Sequence, residues 1–361
     1  MKLQYIICMF FLSPGTLLAQ EQSYWTAFMN ANSSLIGYKD KNDHIRIPPR
    51  FETYSPARKF DDIIAVHEQV SGKISSYYLS KSGRVTARDS MYVFDNTLDC
   101  ESEGFIRFRD QKTDRAGLLN KSGNIAIPAV YNDLSRVENG LIIALSGANK
   151  KQSPDGEHTM WEGGKYILID TTNQLLIDNF EVEDPISLHT LQVSDKPGND
   201  HKRKYFKGLN GKYYGFIDTD AEFKLWLKTT LLTERSESSF HKATFEEIKY
   251  WDESSGWISE NGKTFIEQNF NILQKLLARL NAPDCQYDIF NESLNPFLFE
   301  SELFSSYLNN CNEALENRYP VKNIVISHGK GVGVKQDHLA FLRTDSGYKL
   351  ISVSLSTERL R

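Results

Sequence analysis

The sequence predicts an α+β protein in two parts. The first is an N-terminal all-β array of antiparallel hairpin or meander units of about 40 residues, arranged as a solenoid or a propeller-like ring; the second is a small C-terminal α+β domain. Three observations predict this. One strand-turn-strand pattern recurs along most of the chain. Its turns open on a small polar residue and often carry glycine. Beyond residue 262 the apolar period lengthens from the two of a strand to the 3.6 of a helix.

The pattern is plainest at residues 117–128, Gly-Leu-Leu-Asn-Lys-Ser-Gly-Asn-Ile-Ala-Ile-Pro. Residues 120–123 form a turn whose Gly123 suits a positive φ, since only glycine takes it without a Cβ penalty. Ile125 and Ile127 alternate with Asn124 and Ala126, giving the second strand an apolar face. Pro128, which has no N–H, is expected to end the pairing. With Gly117 as position zero, copies start at Gly37, Tyr77, Gly117, Ile167 and Gly215. Position plus one holds Tyr38, Tyr78, Leu118, Leu168 and Phe216. Plus three holds Asp40, Ser80, Asn120, Asp170 and Asp218. Plus eight holds Ile45, Val85, Ile125, Leu175 and Phe223, and plus ten Ile47, Ala87, Ile127, Ile177 and Leu225. Agreement at four offsets in five copies marks an internal repeat, in which stacked units bury faces that a lone hairpin leaves wet.

Taken in order, residues 1–19 read as a secretory signal peptide: a charged start, an apolar core at 5–12 and a small-residue site that places cleavage after Ala19. Cys8 sits inside that core, not after it, so no lipid anchor is expected there. No later segment is apolar and long enough to span a bilayer. Residues 20–262 form the repeat domain. Its polar lead-in, with Tyr24, Trp25 and Phe28, is expected to cap the first copy. After Ile47 a third strand is expected at 63–66, so each unit holds about three strands. Residues 147–164 and 194–204 read as protruding loops between later copies. Gly256 to Gly262 repeats the glycine, aromatic and turn offsets, as a truncated sixth copy or an unrelated hairpin.

Residues 263–361 form the C-terminal domain. Ile266, Phe270, Leu273, Leu277 and Leu280 mark one helical face. Asn295-Pro296 is expected to open a second helix through Phe299, Leu303, Tyr307, Cys311 and Leu315. Strands follow at 323–327, 338–343 and 348–354, the last two joined by the turn 345–347. After removal of the leader three cysteines remain, Cys100, Cys285 and Cys311; the spacing allows a Cys285–Cys311 bridge or three free thiols.

The repeat resembles the bacterial WG (or KWG) repeat family, on the run Lys212-Tyr213-Tyr214-Gly215-Phe216-Ile217-Asp218 and on residues 117–128 with Tyr131. The likeness covers residues 35–240. Where the family's tryptophan belongs, this chain has Ile36, Ser76, Ala116, Tyr166 and Tyr214, and Asp43, Asn173 and Ala221 replace turn glycines. The resemblance implies a β-repeat interaction module and names no catalytic or binding residue.

Composition narrows the function. A net charge of −5 and a pI near 6.0 leave no basic footprint for nucleic acid. Residues 327–333 with Asp337 and His338 gather serine, histidine, aspartate and glycine, yet Ser327 and His328 point to opposite strand faces, and no Gly-x-Ser-x-Gly elbow is present. No phosphate-loop spacing occurs and the histidines lack a third ligand, so neither cofactor nor metal is expected. Asp40, Asp170 and Asp218 read as turn openers rather than calcium ligands. Glu246, Glu247, Asp252 and Glu253 near Trp251 and Trp257 read as a solvated strand edge rather than a sugar-cleaving pair. The expectation is an extracytoplasmic, secreted or periplasmic binding or scaffolding protein whose partner is a protein or glycan of the cell envelope. The alternative is a secreted hydrolase with its site in the C-terminal domain, which a deep pocket with His328, Asp337 or His338 within hydrogen-bond reach of one another would favour.

Overall fold

The structure is a computed structural model that describes residues 24–153, 156, 159–329 and 333–360. The leader read at 1–19 lies outside these residues. At 48% strand and 14% helix the chain is mostly β, an α+β protein with few helices.

Each of the first four copies is a three-stranded antiparallel meander with the position-zero strand in the middle: Leu35–Lys39, Lys73–Ser80, Arg115–Asn120 and Lys165–Asp170. Trp25–Met29 supplies the first copy's leading strand, as a cap should. The strand expected at 63–66 spans Ile63–Val70 and belongs to the following copy. It pairs along its length with Lys73–Ser80 and meets the preceding strand at the single pair Phe51 with Glu68.

The turns show why the plus-three residue recurs. Asp40, Asn120 and Asp170 each accept the backbone N–H of the residues two and four further on, at 2.8–3.1 Å. Ser80 accepts from Arg84 N at 3.1 Å. In copies one to four position plus six has positive φ: Asp43 60°, Gly83 88°, Gly123 73° and Asn173 67°. Asparagine and aspartate tolerate this region better than other side chains, so the glycine replacements keep the turn.

Successive copies stack face to face. Ile64, Val66, Tyr77 and Leu79 pack with Ile36, Tyr38 and Phe51 of the copy before, while Ile63, Ala65 and Tyr78 pack with Ile106, Phe108 and Leu119 of the copy after. Two further cores join copies three and four, then four and five. Because alternate residues face opposite ways, the middle strands of copies two to four are buried on both sides, worth about 1.5–3 kcal/mol per fully covered large side chain.

Four expectations are corrected. The plus-eight residues are not core: Ile45, Val85 and Ile125 are exposed and Leu175 is half-buried, whereas Ile127 and Ile177 are buried. In copies one, three and four the strand bulges between the two positions, as where Leu118 faces Ile127 but Leu119 faces Ile125, so the outer residue turns to solvent. Pro128 does not end pairing. Its strand runs Ile125–Tyr131, with the proline in a second irregularity opposite Gly117, where an added Cβ would lie 2.7 Å from the Ile127 carbonyl. In copy five Phe223 and Leu225 lie on the helix Thr219–Trp226, and Arg203–Lys207 completes the sheet instead. The helix expected from Asn295 is a turn followed by a 3₁₀ segment, Glu302–Tyr307. A positive φ at Asn312 and the Cys311 cross-link prevent its continuation.

The hairpin at Gly256 joins neither repeat nor isolated ribbon. Thr244–Asp252 and Gly256–Asn261 are part of a six-stranded sheet with Gly347–Ser354, Lys335–Thr344, Val321–His328 and Gln286–Glu292. Asn261 ends that hairpin and caps the helix Gly262–Arg279, accepting from Lys263 N and Thr264 N. One strand-to-helix unit thus spans positions 262 and 263. The helix's Phe265, Ile266, Leu273 and Leu277 pack on the sheet beside Phe223 and Leu227. Phe299, Phe304 and Tyr319 pack in a separate core against Val321, Ala340, Leu342 and Ile351 of the sheet.

Candidate functional site

The loop of residues 308–318 leaves the C-terminal unit and docks on the repeats. Cys311 is disulfide-bonded to Cys100, across 211 residues of sequence, and not to Cys285, which is free. Both readings of the cysteines, a Cys285–Cys311 bridge and three free thiols, are therefore corrected: Cys285 follows the helix on the sheet side, while Cys311 sits against the first repeat core. Asn310 accepts from Arg58 N and Lys59 N at 2.8 and 2.9 Å, Glu313 pairs with Arg136 at 2.6 Å, and Asn317 donates to Glu138 at 2.7 Å.

Between the repeats and the C-terminal unit, this loop included, lies a cleft of about 1200 Å³. Asp99 forms its floor. It is 3% exposed and takes Arg107 in a fork, Nη2 at 2.6 Å and Nε at 3.0 Å, with Arg136 Nε at 3.1 Å. Burial alone would raise its carboxyl, but the two guanidiniums hold it below the ordinary value. The Arg107 guanidinium also lies 4.0 Å from the centre of the Tyr92 ring, whose hydroxyl donates to Asp133 at 2.7 Å. Beside the floor, Glu101 is buried and accepts from Asp62 N and Ile63 N; burial pushes it up to about 7.

Two exposed aromatic rings line the cleft, one from the repeats and one from the C-terminal unit. Phe94, 75% exposed, ends a short ribbon of Val93–Phe94 and Thr97–Leu98 turned by Asp95 and Asn96, both at positive φ. Phe297, 85% exposed, sits on the turn opened by Asn295, whose side chain accepts its N–H at 2.9 Å. Sequence reasoning missed both. An Asp-Asn pair between apolar residues is a hairpin signal, but nothing in the order of residues brings Phe94 and Phe297 to the same cleft.

The residues singled out from sequence fall elsewhere. His328 Nε2 meets Asp337 Oδ2 at 2.7 Å, because the two are diagonal neighbours on paired strands. Asp337 is fully buried and also accepts from Ser356 N, Ser356 Oγ and Thr357 Oγ1. Its burial would raise it, yet these donors and His328 hold it low. Its oxygens are thereby spent on tying the C-terminal tail to the sheet. His338 lies near Asn323, and Lys330, Gly331 and Val332 lie outside the described residues. Glu247 bonds Lys249 and Ser259, Asp252 organises the turn through Ser254 and Ser255, and Trp251 and Trp257 meet edge to face at 5.6 Å. The insertion at 147–164 is a ribbon, Asn149–Gln152 paired with Thr159–Glu162; Pro154, Asp155, Glu157 and His158 lie outside the described residues. Among the described residues no group of three or more His, Cys, Asp or Glu is placed to hold a metal ion.

Residues 117–147 match a family model described as the WG containing repeat, starting at the position-zero glycine of the most complete copy. No curated protein matches the chain.

Proposed function

We propose that this WG-repeat-containing chain is an extracytoplasmic binding or scaffolding protein that holds a protein or glycan partner in the cleft between its repeats and its C-terminal unit. The observation that carries the reading is the pairing of a large cleft with two exposed phenylalanines in its lining, one from the repeats and one from the C-terminal unit. Exposed aromatics beside a concavity are the usual anchors of an interface, while single ones scattered on a surface mean little. The repeats provide a rigid wall because copies two to four are each packed on both faces. We read the array as open, since among the described residues no core joins the first copy to the fifth.

The test is retention of an envelope-derived partner on the full oxidised chain, with Phe94→Ala/Phe297→Ala alongside. The double variant should melt with the wild type, because both rings are exposed, and should lose at least tenfold in retention, about 1.4 kcal/mol or more. Equal retention by the two proteins sinks the cleft as the site.

The hydrolase reading draws on the 2.7 Å contact between His328 and Asp337. Among the described residues Ser327 takes the other strand face, and the hydroxyls of Ser356 and Thr357 donate to Asp337, so none of the three is placed as a nucleophile on His328. Binding is the better supported function.

A further inference from the structure

Resting on the binding reading above, the charge of the cleft narrows the partner. Its lining carries eight carboxylates against four guanidiniums. Asp99 and Glu313 are matched by Arg107 and Arg136, and Asp133 by Arg109. Glu101, Glu103, Glu138 and Glu316 have only neutral hydrogen-bond donors, and Glu101 takes its two from Asp62 N and Ile63 N. Glu103 accepts from Asn139 N and Gly140 N at 2.6 and 2.8 Å, Glu138 from the Asn317 amide, and Glu316 from the Ser293 hydroxyl. Burial raises the Glu138 carboxyl, and the fields of Glu103 and Glu316 add to the rise against the hydrogen bond from Asn317 and the charge of Arg136. A cation entering here removes that repulsion; a neutral chain of hydroxyls does not. The cleft is also larger than the roughly 300–1000 Å³ of an ordinary small-molecule pocket, and its lining runs from the first copy to the C-terminal loop. The two phenylalanines add apolar contacts, one from the repeats and one from the C-terminal unit.

We propose that the cleft takes an extended polypeptide segment bearing lysine or arginine, its cationic side chains at Glu103, Glu138 and Glu316 and its apolar ones against Phe94 and Phe297. Such a segment presents charge and apolar surface in alternation, which suits an acidic trough with exposed aromatics.

The experiment measures binding of three fluorescent probes to the full oxidised chain: a decapeptide of alternating lysine and tyrosine, the same peptide with glutamate for lysine, and cellohexaose. The lysine peptide should bind and the glutamate peptide should not, with affinity falling as salt is raised. Glu103→Gln/Glu138→Gln/Glu316→Gln should weaken the lysine peptide at least tenfold and flatten the salt dependence. Glu103→Gln/Glu316→Gln, which alters exposed residues alone, should give a smaller loss in the same direction if the triple variant folds poorly. Phe94→Ala/Phe297→Ala should weaken binding and keep the salt slope. Lysine-peptide affinity unchanged by the glutamine variants overturns the inference. Cellohexaose or the glutamate peptide binding instead, and lost in the phenylalanine variant, overturns it too but leaves the cleft as the site. No binding of the lysine peptide to the wild type also overturns it.

Discussion

Glu101 shows how one residue records the assembly around it. Its carboxylate accepts two backbone N–H groups of the neighbouring copy and is 6% exposed. Burial raises its folded pKa to about 7, above the 4.5 of a free side chain. A raised carboxyl binds its proton more tightly in the folded state, so its contribution is present below the unfolded value. It is lost as pH climbs toward 7. Glu101→Gln, which keeps an acceptor and cannot ionise, should therefore stabilise the protein at pH 8 by up to about 3 kcal/mol and change little at pH 4, read by chemical denaturation at both pH values. A variant with equal effect at the two pH values would refute this. The sequence shows a glutamate beside Cys100; it does not show that residues 62 and 63 arrive to cover it, because that contact crosses between copies.

Single elements show how much of each copy is local. The plus-three residue always accepts backbone N–H groups ahead of it, and the residue at plus six decides the outcome. In copies one to four that residue takes a positive φ and the chain turns back. In copy five it is Ala221, which disfavours such a φ, and Asp218 instead accepts from Asp220 N and Ala221 N to start the helix Thr219–Trp226. Asp220 and Glu222 in its first turn suit the positive end of the helix dipole. Asp218→Ala should cost about 1 kcal/mol and speed amide exchange in residues 219–226 before the repeats are affected, measured by hydrogen exchange. Uniform exchange changes across the chain would argue against a local cap. The helix Gly262–Arg279 was legible because its period spans many turns. The helix expected after Asn295 was not excluded by any short-range signal; a cross-link to residue 100 and packing of Phe299 and Phe304 on the sheet determined that segment.

At the scale of the molecule, the Cys100–Cys311 disulfide holds the far wall of the cleft to the repeats with Arg136, Asn310 and Asn317. It closes a loop of 211 residues, for which chain entropy alone gives about 5 kcal/mol. Cys100→Ser/Cys311→Ser should lower the melting temperature, raise amide exchange across residues 308–318 and weaken any ligand of the cleft, while Cys285→Ser should do none of these. A double variant with wild-type stability and exchange would show that the polar contacts suffice. What the order of residues determined by itself was the unit: its turns, its middle strand, its forty-residue step and the change to helical period. These depend on φ preferences and on side chains two to four residues apart, interactions that any short segment carries. What tertiary structure alone decided was which plus-eight and plus-ten residues faced inward, which cysteine Cys311 met, and the existence of a cleft lined by both Phe94 and Phe297. Those outcomes depend on bulges, stacking and a returning loop that join residues up to two hundred positions apart, and no local preference encodes such distances.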